Sequence, residues 1–130
     1  KLPDRAPDRV VEVPTLDNQA LLYRLNGDLN PIHSDPEVAK AAGFPRPILH
    51  GLCTYGFAGR ALLAELAGND AAKLTAMAAR FSAPVFPGET LTTSIWRTEP
   101  GRAVYRTEAS GPDGSNARVV LDDGVAEYTG

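Results

Sequence analysis

A chain of 130 residues supports one domain with a single core, and 43% hydrophobic with 22% charged residues is the balance of an ordinary globular protein. With 16 acidic against 13 basic residues the net charge is −3 and no run of like charge occurs, which speaks against nucleic acid or a membrane surface as partner. No apolar run approaches the roughly 20 residues of a membrane span, and no signal-peptide pattern opens the chain.

In chain order, residues 1–9 hold two prolines and five charges with almost nothing apolar, and read as a linker; residues 10–130 read as one domain. Val10 to Val13 predicts a short strand that Pro14 ends. Thr15 is then placed to cap a helix, with Leu16, Ala20, Leu21 and Leu25 following at helical spacing. Asp35-Pro36-Glu37 has the composition of a second helix start and Gly43 that of its stop. A longer helix is predicted from Gly51 to Ala67, closed by Gly68-Asn69-Asp70; it is apolar nearly all round and so is expected to be buried. Ala72 to Phe81, Leu91 to Thr98, Ala103 to Ala109 and Arg118 to Tyr128 alternate or carry β-branched and aromatic residues, and Pro and Gly turns separate them. These elements predict an α+β domain in which an antiparallel meander wraps a central helix.

The chemistry concentrates between the first two helices, in Tyr23-Arg24-Leu25-Asn26-Gly27-Asp28-Leu29-Asn30-Pro31-Ile32-His33. Gly27 admits backbone conformations closed to other residues, and Pro31 fixes its own φ while pushing Asn30 towards extended geometry, so the segment cannot continue a helix. It presents Asp28 and His33 from a constrained loop. A carboxylate and an imidazole can together take and give protons near neutral pH, as adding or removing water requires. Taken singly, Asp28 also suits a plain turn and His33 a plain surface histidine.

This run resembles the signature of the MaoC-like, (R)-specific 2-enoyl-CoA hydratases, also called hydratase 2. The similarity continues through Asp35-Pro36, Ala42-Gly43-Phe44, Pro47 to Thr54 and Arg80 to Gly88, and so covers most of the chain. It is closest to the C-terminal, catalytic half of the two-repeat form. Asn26 departs from the pattern, which has a small hydroxyl residue there. The resemblance implies a hot-dog fold and hydration of trans-2-enoyl-CoA to (3R)-3-hydroxyacyl-CoA, reversible as dehydration, with coenzyme A part of the substrate and no cofactor. Asp28 and His33 then activate one water, and Asn30 orients the loop through side-chain hydrogen bonds. The enolate charge that forms on the thioester oxygen falls to the Gly51 N–H, at a helix N-terminus carrying roughly +0.5 of an elementary charge. Close helix packing is the other use for that glycine, and His50 is read as bracing the turn before it, with a second catalytic role as the alternative.

Arg46, Arg80 and Phe81 are candidates for substrate contact, the arginines with coenzyme A phosphates. Two histidines without a Cys or His partner at ligand spacing give no metal-binding pattern, and no phosphate-binding loop of the glycine-rich kinds occurs. Two other classes remain open: an acyl-carrier-protein dehydratase or other hot-dog thioester enzyme, and a non-catalytic hot-dog subunit that completes a neighbour's pocket. Because the family pairs two hot dogs around the thioester, a second one is expected, as a separate subunit, a lost N-terminal repeat or a second copy. The lone Cys53 fits a reducing compartment, and Tyr128-Thr129-Gly130 is not a peroxisomal S-K-L signal, so a bacterial cytoplasm is expected over a peroxisome.

Overall fold

The computed structural model describes residues 2–129. Strand β1 (Arg9–Pro14) leads to the short helix α1 (Gln19–Tyr23), two single 3₁₀ turns at Arg24–Asn26 and Pro31–His33, helix α2 (Pro36–Ala41) and the long helix α3 (Gly51–Ala67). A further 3₁₀ turn precedes β2 (Leu74–Phe81), and β3 (Thr90–Glu99), β4 (Arg102–Ser110) and β5 (Arg118–Tyr128) complete one five-stranded sheet. Every pairing is antiparallel. No helix among the described residues is long and apolar enough to cross a membrane.

The alternation of β4 shows how the sheet chooses its faces. Ala103, Tyr105, Thr107 and Ala109 are buried while their neighbours are half-exposed, which is the period of two for a strand with one face on a core. Ala58, Leu62 and Leu66 of α3 meet that face at Ile95, Ala103, Tyr105, Leu121 and Ala126. A second cluster lies at the other end of the helix, where Ala20 of α1, Leu49 and Cys53 pack on Val85, Leu91, Ala109 and Val120. It seats the segment between α1 and α3 on the sheet. This is the hot-dog layout, a sheet curled around one helix.

Three expectations need correction. The four strands after α3 do not form one meander: the order is β1-β3-β4-β5-β2, so β2 occupies the far edge beside β5. Crossing from β2 to β3 takes three strand spacings, about 14 Å, and the eight residues between them reach about 26 Å when extended, so a prolyl crossover replaces the hairpin. Thr15 does not cap α1. Its buried hydroxyl donates to the Glu89 carbonyl and accepts from the Gly88 N–H, which ties β1 to the start of β3, and the helix begins later, after Asn18. Nor is α3 buried all round: Leu52, Gly56, Arg60 and Ala64 form an exposed stripe at helical spacing, with Leu52 65% exposed.

Ahead of β1, Arg5 and Asp8 are tied to β3. Asp8 accepts from the Arg97 N–H at 2.6 Å, and Trp96 Nε1 donates to the Arg5 carbonyl at 2.8 Å.

Gly124 marks the tightest approach in the sheet, because a Cβ there would be driven into the carbonyl and ring of Tyr105 on β4. Tyr105 cannot retreat, since it is fully buried and its hydroxyl donates to the Ala78 carbonyl at 3.1 Å. Gly124→Ala is expected to cost about 1–3 kcal/mol of stability, read as a lowered midpoint in urea unfolding. An unchanged midpoint would show that β4 and β5 part to admit the methyl.

Candidate active site

The loop after α1 is built from local rules. Gly27 sits at φ 104°, a left-handed conformation that closes the first 3₁₀ turn and that a Cβ would strain. The Asp28 carboxylate accepts from the Asn30 N–H at 3.2 Å, and the Asn30 side-chain oxygen accepts from the Ile32 N–H at 3.1 Å. These two Asx turns, with Pro31 at the first position of the second 3₁₀ turn, leave the loop little freedom. Asn26 makes no side-chain hydrogen bond among the described residues.

His33 is aimed by its own hydrogen bond. Its Nδ1 lies 2.8 Å from the Ile48 carbonyl oxygen. A carbonyl only accepts, so Nδ1 carries the proton and the neutral ring presents a bare lone pair on Nε2. The same reasoning fixes His50, whose Nε2 lies 3.2 Å from the Asp28 backbone carbonyl and must donate to it. The two imidazoles stack with centroids 3.8 Å apart and planes 22° apart, and the Tyr23 ring closes the other side of His50 at 4.7 Å. His50 is 1% exposed, and burial holds it below the ordinary imidazole range.

One ligand atom from each of Asp28, His33 and His50 falls within 4.8 Å of the others. The set does not fit a metal ion. The in-plane lone pairs left on the two stacked rings, whose centroids are 3.8 Å apart, lie in nearly parallel planes and cannot converge on one ion.

His33 opens onto a mostly apolar groove of about 330 Å³, lined also by Phe44, Ile48, Gly51, Thr54, Phe81 and the segment Ser82 to Val85. A hollow of about 470 Å³ between Leu2, Val104, Arg106, Asp122 and Val125 is larger, but it lies on the sheet face turned away from α3 and holds no histidine. Of the two, the smaller groove is the one that His33 lines. Gly51 is the first residue of α3, where an N–H has no partner within the helix, and it lies close under the Phe81 ring: a Cβ on Gly51 would come within 3.3 Å of the ring edge. The groove therefore brings together His33, Gly51 and Phe81, and the Asp28 carboxylate lies beside His33, outside the groove's lining.

The two arginines are placed differently. Arg46 donates to the Pro87 carbonyl at 3.0 Å, lies over the Phe86 ring, and borders a small hollow on another side of His33. Arg80 follows the strand to the groove's edge beside Phe81, but its guanidinium pairs with Asp123 at 3.1 Å and Asp122 at 3.8 Å.

The family comparison agrees with this geometry. The MaoC like domain family matches residues 1–115. The chain belongs to that family. It is 67% identical over 129 residues to 3-hydroxyacyl-thioester dehydratase Y of Mycobacterium tuberculosis, covering 98% of this chain and 44% of that protein. It is 54% identical over 108 residues to the peroxisomal enoyl-CoA hydratase 2 of Arabidopsis thaliana, covering 83% of this chain and 35% of the relative. The full-length peroxisomal multifunctional enzyme type 2 of Drosophila melanogaster superposes with a TM-score of 0.89 at 43% identity, over 98% of this chain and 23% of that one. This MaoC-like chain thus spans less than half the length of these relatives.

Some of the site was not singled out in the sequence. The Ile48 carbonyl that orients His33 is a backbone group and leaves no residue-type signal. Thr54, one turn along α3 from Gly51, points a buried hydroxyl with no hydrogen-bond partner among the described residues, and it lines the groove. Arg118 pairs with the buried Glu89 at 2.6 Å and donates to the Pro84 carbonyl at 2.8 Å, which clamps the groove wall to β5. Burial works to raise the Glu89 carboxyl, but Arg118 and the Phe86 N–H outweigh it and hold the group below the ordinary carboxylate range.

Proposed function

We propose that this domain hydrates trans-2-enoyl-CoA to (3R)-3-hydroxyacyl-CoA, and dehydrates it in reverse, without a metal or other cofactor. The observation that carries the reading is His33, which lines an apolar groove, holds its Nδ1 on the Ile48 carbonyl and has a ring nitrogen within 4.8 Å of an Asp28 carboxylate oxygen. One water held between these two groups loses a proton to the pair as its oxygen bonds to C3 of the enoyl thioester. The C2–C3 π pair moves onto the thioester oxygen as enolate, and C2 then takes a proton back from the pair on the same face. Gly51 N–H, with the α3 dipole behind it, stabilises the enolate oxygen.

Phe81 is the acyl contact in this scheme, and Arg46 and Arg80 are the candidates for the coenzyme A phosphates. The Arg80 ion pairs are exposed, and such pairs are worth about 0–1 kcal/mol, so a phosphate can displace them. The relatives named as enoyl-CoA hydratase and as 3-hydroxyacyl-thioester dehydratase support the reaction, and the second name leaves the carrier open. Ultraviolet absorbance of the conjugated thioester, followed on the protein with its partner half in place, using crotonyl-CoA, longer enoyl-CoA esters and a crotonyl acyl-carrier protein, tests both. Loss of absorbance with the CoA esters is expected; turnover of the carrier-protein ester alone would move the reading to the dehydratase alternative. No turnover of any thioester, with the fold intact, would favour the non-catalytic subunit. The 67% identity to a bacterial relative supports a bacterial cytoplasm over a peroxisome.

The domain is further proposed to work beside a second hot dog, as a separate subunit or an N-terminal repeat rather than a second copy. In support, β2 ends the sheet with its outer edge unpaired among the described residues, and an unpaired edge is a liability that proteins cover. Light scattering after size-exclusion chromatography, run with the hydration assay, decides among these. An inactive or weakly active isolated domain is expected; a fully active monomer on long-chain enoyl-CoA would refute the partner, and an active dimer would select the second copy.

A further inference from the structure

We propose that His50 is a positioning residue that holds both members of the catalytic pair through one ring. Its Nε2–H donates to the Asp28 carbonyl at 3.2 Å, while its face lies 3.8 Å from that of His33. The first contact fixes where the aspartate's backbone sits, and the second fixes the plane in which the His33 Nε2 lone pair points. Together they aim carboxylate and lone pair at one water. Tyr23 backs the ring on its other side, so His50 cannot tilt away from His33 without opening that contact.

The remaining nitrogen supports the assignment. His50 Nδ1 is buried and has no hydrogen-bond partner among the described residues, although His50 occupies the N-cap position of α3, where side chains usually accept a backbone N–H. A residue selected only to start the helix would use that acceptor. A ring protonated on Nδ1 would bury a second donor with nothing to receive it, so His50 stays neutral. His50 therefore touches no substrate and transfers no proton; it acts through the other two residues.

This inference rests on the hydratase reading, and its test separates the two. The protein, with its partner half in place, is compared with His50→Asn, which keeps a donor and a good N-cap but loses the ring; His50→Phe, which keeps a ring face but loses the donor; and His50→Ala, which loses both. Each of the first two is expected to lower kcat about 10- to 100-fold, as small misplacements of catalytic groups do, with KM within about twofold. His50→Ala should be lower than either. Nitrogen-15 spectra of the His33 ring should show the Nδ1–H tautomer in the wild type and a mixture in His50→Ala. If His50→Ala does not fold, His50→Asn carries the test, because asparagine is favoured at an N-cap. A folded His50→Asn or His50→Ala with wild-type kcat and a wild-type His33 spectrum overturns the inference. Wild-type protein inert on every thioester would instead sink the hydratase reading, and the spectra alone would then decide whether His50 holds His33.

Discussion

Asp28→Asn is expected to lose about 10²- to 10⁴-fold in kcat with the fold intact, the usual contribution of a general acid/base group. The substitution is conservative where structure is concerned. The amide keeps an oxygen to accept the Asn30 N–H at the place where Asp28 does so now, so the loop need not move. What it removes is a carboxylate able to take a proton from the water. His33→Ala should lose a similar factor, and the double variant should be little worse than either single one, because the two groups act on one water and their losses do not add. His33→Ala also deletes the hydrogen bond to Ile48 and the stack on His50, so its thermal midpoint must be measured alongside. Near-full activity in either single variant would remove that residue from the mechanism.

Gly51→Pro should cost about 10²- to 10³-fold in kcat, the loss typical for one oxyanion donor. Proline deletes the N–H yet suits the first turn of a helix, and the preceding His50, at φ −60° and ψ 132°, already has the extended conformation that a following proline demands. Its ring must share space with Phe81, so Gly51→Ala is the needed control. That variant keeps the N–H and brings a Cβ to 3.3 Å from the Phe81 ring edge, and the half-exposed ring has room to move aside. Activity near wild type in Gly51→Ala with near-complete loss in Gly51→Pro assigns the effect to the N–H. Equal losses in both would assign it to crowding in the groove, and a fully active, folded Gly51→Pro would rule out this oxyanion hole.

The legible parts of the chain were those governed by rules acting over a few residues. Gly27, Asn30 and Pro31 dictate the conformation of their own loop, and Gly68 stops α3 in a left-handed conformation, so these can be read without knowing what lies nearby. The parts that misled depended on distant partners. The Thr15 hydroxyl has the chemistry of a cap, but it is used by Gly88 and Glu89, more than seventy residues away. Apolar composition showed that α3 belongs to the core without showing that the stripe through Leu52 and Gly56 has nothing against it. Likewise β2 has ordinary strand character, and its place beyond β5 is set by the crossover rather than by its own residues.

The crossover from Ser82 to Glu89, clamped by Arg118, supplies one wall of the groove, while His33, from the segment between α1 and α2, lines another part of it. The two stretches are far apart in the sequence. Descent can therefore act on them separately. Under the proposed reaction, changes at Phe81, Ala83 or Val85 are expected to alter which acyl chains the groove accepts while the Asp28 and His33 pair is inherited untouched, so a lineage of such domains can spread over many thioesters without reinventing the reaction.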